Sequence, residues 1–132
     1  MSKENLIKIL NSVKIVAMVG ASPRESRTSY EILGWMKDRG YTMIPINPDP
    51  RVTQIHGLRV VASLAAVDSP IDMVQVFRSS DALYGVAQEA IEVGAKVLWS
   101  QIGVVDQAAA DLARGAGLEV VMNRCPKIEL SQ

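Results

Sequence analysis

The chain alternates between two hydrophobic rhythms. Three times an amphipathic stretch ends at a glycine and a β-branched run begins shortly after: Arg39-Gly40-Tyr41 before TMIPI, Val93-Gly94-Ala95 before KVLWS, and Ala116-Gly117-Leu118 before EVVM. Glycine just past a helix supplies the left-handed turn that a Cβ resists. Repeated helix–glycine–strand units predict alternating α/β architecture with a parallel sheet.

The pattern predicts a helix over about Lys3–Asn11, a strand over Lys14–Val19, a helix over Ser29–Arg39 and a strand over Thr42–Ile46. Thr28 and Glu31 have the spacing of a capping box. A short strand is expected near Leu58–Val61 and a further strand at Met73–Phe77. Leu83, Val86, Ala87, Ala90 and Ile91 then share one face at helical spacing, with Ser79 as the expected N-cap. Lys96–Ser100, Gln107–Ala116 and Glu119–Met122 read as strand, helix and strand. Strands this apolar are expected where helices cover both faces. The expected fold is a Rossmann-like, doubly wound, mainly parallel sheet of five to six strands, formed as one domain over 1–132 with its core at about 14–129.

Composition narrows the function. The 132 residues carry 14 Lys+Arg against 14 Asp+Glu, so the basic excess of a nucleic-acid binder is missing. One cysteine and one histidine leave no room for a disulfide framework, a cysteine-based zinc site or a histidine-rich centre. Charges interrupt the apolar positions of MSKENLIKIL, and no apolar run reaches bilayer length, so the expectation is a cytoplasmic protein without membrane contact.

In an open parallel sheet, ligands bind beyond the carboxyl ends of the strands. That rule selects the segments 20–28, 47–51, 78–81, 101–104 and 123–127. The first, VGASPRESRTSY, is the most informative. Gly20 permits a sharp turn, Ser22, Thr28 and Ser29 offer hydroxyls, and the following helix offers free N–H groups. This suits a phosphate or diphosphate, with Arg24 and Arg27 available for charge-assisted contacts. The segment is not the dinucleotide fingerprint, because Ser22 and Glu25 stand where glycines would be needed, and Asn47-Pro48 replaces the usual ribose-binding acid. It is not a P-loop either.

Taken in order, VGASPRESRTSY, PINP, DMVQVFRSS, GAKVLWSQIGV and AGLEVVMNRCPKIE resemble the small stand-alone CoA-binding proteins, whose domain is similar to the nucleotide-binding domain of the succinyl-CoA synthetase alpha subunit. The resemblance implies CoA as the bound cofactor. It implies that Gly20, Ala21, Ser22 and Ser29 hold its phosphates, that Asn47 and Pro48 line the adenosine, and that Val76, Phe77 and Arg78 flank the nucleotide. It further implies that Trp99, Ser100, Gln101 and Gly103 run along the pantetheine, with Asn123, Arg124, Cys125 and Pro126 near the thiol end. The family often has lysine after the Asn-Pro for the 3′-phosphate. Here Asp49 stands there, with Arg51 as the candidate substitute.

Single residues admit plainer readings. Cys125 is either a packed thiol or a ligand-adjacent one whose thiolate Arg124 and Lys127 would favour. His56 reads as a surface histidine without a partner, Trp99 and Trp35 as packing residues, and Glu89 and Glu92 as a solvated helix face. The reading these support is a non-catalytic protein binding CoA or an acyl-CoA. Competing readings are an NAD(P)- or other nucleotide-dependent enzyme, for which Cys125 and Asp106 are the modest candidates, and a subunit completing an acyl-CoA synthetase in trans. Self-association is open, since no sequence feature sets a stoichiometry.

Overall fold

The structure, a computed structural model, describes residues 1–131. Its elements are α1 (Lys3–Ser12), β1 (Ile15–Val19), α2 (Thr28–Asp38), β2 (Thr42–Ile46), β3 (Gln54–Ile55), β4 (Leu58–Arg59), β5 (Met73–Val76), α3 (Ser80–Glu92), β6 (Val97–Ser100), α4 (Gln107–Gly115), β7 (Glu119–Val121) and α5 (Pro126–Leu130). A single 3₁₀ turn, Leu64–Ala66, precedes β5.

Five strands form one parallel sheet in the order β2-β1-β5-β6-β7. Period-2 alternation divides their side chains between two cores. Ala17, Val19, Val74, Val76, Leu98 and Val120 pack with α3 and α4 residues on one face. Val16, Met18, Met73, Trp99 and Val121 pack with residues of α1 and α2 on the other. Both faces are buried, which is why the strands read as continuous apolar runs rather than alternating ones. Gly40, Gly94 and Gly117, the glycines of the repeated grammar, all have positive φ (109°, 75° and 95°).

The chain leaves β1 toward β2 on one side and returns to β5 on the other, so strand order reverses between β1 and β5. At the opposite ends of those strands the Asp72 carboxylate accepts from the N–H groups of Lys14 and Ile15, each at 2.9 Å. Lys96 adds an ion pair at 3.8 Å.

Several local expectations need correction. The capping box does not form: Thr28 is the first helical residue, and Arg27 at the N-cap makes no side-chain cap bond. Ser79 is the N-cap of α3 but also makes no side-chain cap bond. Instead the Ser80 hydroxyl joins two loops, donating to the Gly103 carbonyl and accepting from the Val105 N–H. The strand expected at 58–61 is half of an antiparallel hairpin, β3-β4, and only Val61 reaches the main sheet, by a bridge to Ile46. The segment after β7, read as a loop, turns into α5 with Pro126 at its start, a position where the missing N–H costs nothing.

His56 also departs from expectation. It stands in the hairpin turn at φ 52°, its Nε2 lies 2.7 Å from the Tyr30 carbonyl, and its ring stacks on Tyr30 with centroids 3.9 Å apart. Gly34 of α2 leaves room for that ring, since a Cβ there would lie 2.7 Å from its nearest carbon. The hairpin is thereby clamped to α2, and Lys37 completes the clamp by donating to the His56 carbonyl at 2.8 Å. Among the described residues, no helix is long and apolar enough to cross a membrane.

Candidate functional site

The carboxyl ends of β1 and β5 open onto a cleft of about 640 Å³ at the switch point. Gly20 forms its floor. Its φ is +88°, and a Cβ there would fall 2.5 Å from the Phe77 carbonyl oxygen, so strand end and neighbouring strand meet backbone to backbone. The turn that follows is held from behind. The Ala21 N–H donates to the Ile46 carbonyl at 3.3 Å, and the Asn47 amide donates to the Ala21 carbonyl at 2.9 Å. Asn47 therefore braces the turn with its nitrogen, while its oxygen accepts from the Asp49 N–H at 2.9 Å.

Gly20, Ala21, Ser22, Arg24, Ser29, Asn47, Pro48, Phe77 and Arg78, drawn from the three segments that follow β1, β2 and β5, all line this cleft. Arg27 and Thr28 line it as well. The start of α2 carries no side-chain cap and faces this cleft through Thr28 and Ser29. Arg24, Arg27 and Arg78 place the positive charge of the cleft around that turn.

A second cavity of about 760 Å³ adjoins the first and shares Thr28, Phe77 and Arg78 with it. Its walls bring in Gln101 and Cys125 together with Ile32, Ile102, Val104 and Ile128. Cys125 is 4% exposed, and Lys127 is engaged with Glu31 at 2.8 Å. The expected cation beside the thiol thus already has a carboxylate partner.

Four other expected site residues, Ser100, Gly103, Asn123 and Arg124, line neither cavity; Ser100 is buried and the other three are exposed. The buried Ser100 hydroxyl donates to the Val104 carbonyl at 2.6 Å. The Gly103 N–H donates to the Asn123 side chain at 2.8 Å, tying the loop after β6 to the loop after β7. Asn123, at φ 64°, tolerates the left-handed turn this requires. The Arg124 carbonyl accepts from the indole of buried Trp99 at 2.8 Å, while the Arg124 N–H donates to the Ser100 carbonyl. These bonds set the shape of the second cavity.

Arg51 stands apart from both cavities. Its guanidinium grips Asp49 at 3.1 and 2.9 Å, and its side chain is 88% exposed. The hydrogen bonds and charge of Arg51 hold the Asp49 carboxyl below its usual range. Arg51 is paired with Asp49 at the surface and lines neither cavity.

Sequence reasoning missed Ala62, Ser63 and Leu64, which wall the far end of the first cleft. They reach it through the bridge of Val61 to Ile46, a long-range pairing without a local signal. Glu89 was read as a solvated face; it is exposed, and it also stands in the wall of the first cleft. Among the described residues, no group of three or more His, Cys, Asp or Glu is placed to hold a metal ion.

Comparison with known proteins finds relatives over nearly the whole chain. A family model described as a CoA binding domain matches residues 14–131. The uncharacterized protein YneT of Bacillus subtilis is 41% identical over 127 residues, 96% of this chain and 93% of that protein. An ADP-forming acetate–CoA ligase of Methanocaldococcus jannaschii is 29% identical over 90 residues, 68% of this chain but 12% of the ligase. The solved structure of a hypothetical protein from Pyrococcus horikoshii superposes with a TM-score of 0.93 at 30% identity, covering 99% of this chain and 91% of that one. With the family model spanning nearly the whole chain, this chain belongs to the CoA binding domain family.

Proposed function

We propose that the protein binds CoA or an acyl-CoA and does not transform it. The observation that carries this reading is the pair of joined cavities at the switch point. One is ringed by Arg24, Arg27 and Arg78 at an uncapped helix start, and the other is walled mainly by apolar side chains. CoA has the matching division, a charged nucleotide end and a long, weakly polar arm. The diphosphate would sit against Gly20–Ser22 and the start of α2, the nucleoside between Pro48 and Ser63, and the pantetheine past Phe77 toward Cys125.

Neither the thiol nor the histidine is set up for a chemical step. Cys125 is buried, and His56 is committed to the Tyr30 carbonyl on the hairpin side of α2, lining neither cavity. A thiol needs an adjacent base or cation to become a nucleophile.

The test is a calorimetric titration of the reduced protein with CoA, 3′-dephospho-CoA and NAD⁺. CoA is expected to saturate one site and NAD⁺ to give no heat of binding. Because Arg51 is held by Asp49 at the surface, 3′-dephospho-CoA is expected to bind within about threefold of CoA, the scale of an exposed ion pair. Binding of NAD⁺ without CoA would move a nucleotide-dependent enzyme to the front.

A further inference from the structure

The second cavity carries more than a pantetheine arm requires. Gln101 lines it, is 7% exposed, and has a carbonyl oxygen Oε1 that is buried without a hydrogen-bond partner among the described residues. A buried acceptor left unpaired is costly, so such an atom marks a place where a ligand N–H belongs. Beyond it the wall is apolar: Ile32, Val104 and Cys125 are buried, while Ile102 and Ile128 are 55% and 44% exposed. Two large aliphatic side chains standing open at the mouth of one cavity form an uncovered apolar lip.

Charge at the same place is already balanced. Lys127 and Glu31 both line the cavity and are bonded to each other at 2.8 Å. Arg78 stands where the two cavities join, on the diphosphate side of the ligand path. A carboxylate at the end of an acyl group would therefore meet aliphatic walls and a lysine that already has a partner.

We propose that this cavity receives an apolar acyl group, so that the ligand class is a CoA thioester of an uncharged, short to medium acyl chain, preferred over free CoA and over dicarboxylic acyl-CoA. The proposal rests on the CoA reading above. Once the Gln101 side chain turns toward the cavity, its buried oxygen accepts a pantetheine amide N–H, and the acyl chain runs on between Ile102 and Ile128.

The experiment is a calorimetric series with CoA, acetyl-CoA, butyryl-CoA, hexanoyl-CoA and succinyl-CoA. A fully buried methylene strengthens binding about fourfold, and half of that is expected at an open lip, so hexanoyl-CoA should bind at least about tenfold tighter than CoA. Succinyl-CoA should stay within about twofold of CoA, an aliphatic wall giving nothing to a carboxylate. Ile102→Ser together with Ile128→Ser should reduce the hexanoyl-to-CoA ratio to about threefold or less. Gln101→Leu should weaken every CoA species about fivefold or more while the melting temperature holds or rises, because the unpaired buried oxygen is removed; a merely structural glutamine would instead lower it.

Binding of CoA with no gain along the acyl series, or succinyl-CoA binding tightest, overturns the acyl proposal alone. If no member of the series binds, the CoA reading fails and the acyl proposal with it.

Discussion

Gly20 shows how much one position can settle. Its positive φ and the 2.5 Å approach that a Cβ would make to the Phe77 carbonyl together exclude every side chain. Gly20→Ala is expected to lower stability by about 1–3 kcal/mol, the scale of a strained backbone position, and to weaken CoA binding more than tenfold because the turn must move. Chemical denaturation and titration of the same sample check both. Arg51 is the contrasting case. The family resemblance, with Asp49 in the place of its lysine, suggested Arg51 for the phosphate contact, yet a position along the chain does not say which way a long side chain turns, and Asp49 pairs with it. Arg51→Ala should therefore leave CoA affinity within about twofold, as an exposed ion pair contributes little. A tenfold loss would return Arg51 to the site.

At the scale of elements, the contact between α2 and the β3-β4 hairpin is the least anticipated feature. The hairpin supplies the route by which Ala62, Ser63 and Leu64 reach the cleft, and His56 seats it on the bare surface that Gly34 leaves on α2. Gly34→Ala introduces a Cβ 2.7 Å from the imidazole ring and should displace the hairpin. The expected cost is about 1–3 kcal/mol, as for overpacking elsewhere, and amide exchange should accelerate in residues 54–61 before it does in the central strands. Unchanged exchange there would mean that His56 is not what holds the hairpin. Histidine chemistry was invisible from the sequence because the partner, a carbonyl of Tyr30, is 26 positions away and carries no side-chain signature.

For the molecule as a whole, Asp72 ties the starts of β1 and β5 together at the end of the sheet opposite the clefts. Hydrogen bonds from Ile15 and Lys14 and the charge of Lys96 lower its carboxyl pKa, outweighing the opposing effect of its partial burial. A carboxyl depressed in the folded state stabilises the fold above its unfolded pKa, and this stabilisation is lost as pH falls through the folded value. Acid unfolding below about pH 4 should accordingly be shallower in Asp72→Asn. That variant should also lose about 1–2 kcal/mol at pH 7, the scale of charged hydrogen bonds at a partly exposed site. Urea titrations of both proteins between pH 3 and pH 7 read both quantities, and equal slopes in acid would remove Asp72 from the account.

The order and type of the main elements were legible because each is written in local terms. Short continuous apolar runs, a helical stripe such as Leu83, Val86, Ala87 and Ala90, and glycines at helix ends specify strand, helix and turn within a few residues. From that alternation the doubly wound sheet followed, and with it the edge at which a ligand would bind. Tertiary structure alone decided the rest. The pairing order β2-β1-β5-β6-β7 put Gly20 against Phe77, the hairpin brought in Ser63, and packing between loops turned Ser100 and Asn123 into braces rather than walls. Such outcomes depend on which distant groups compete for one hydrogen bond or one space, and neighbours along a chain carry no record of that competition.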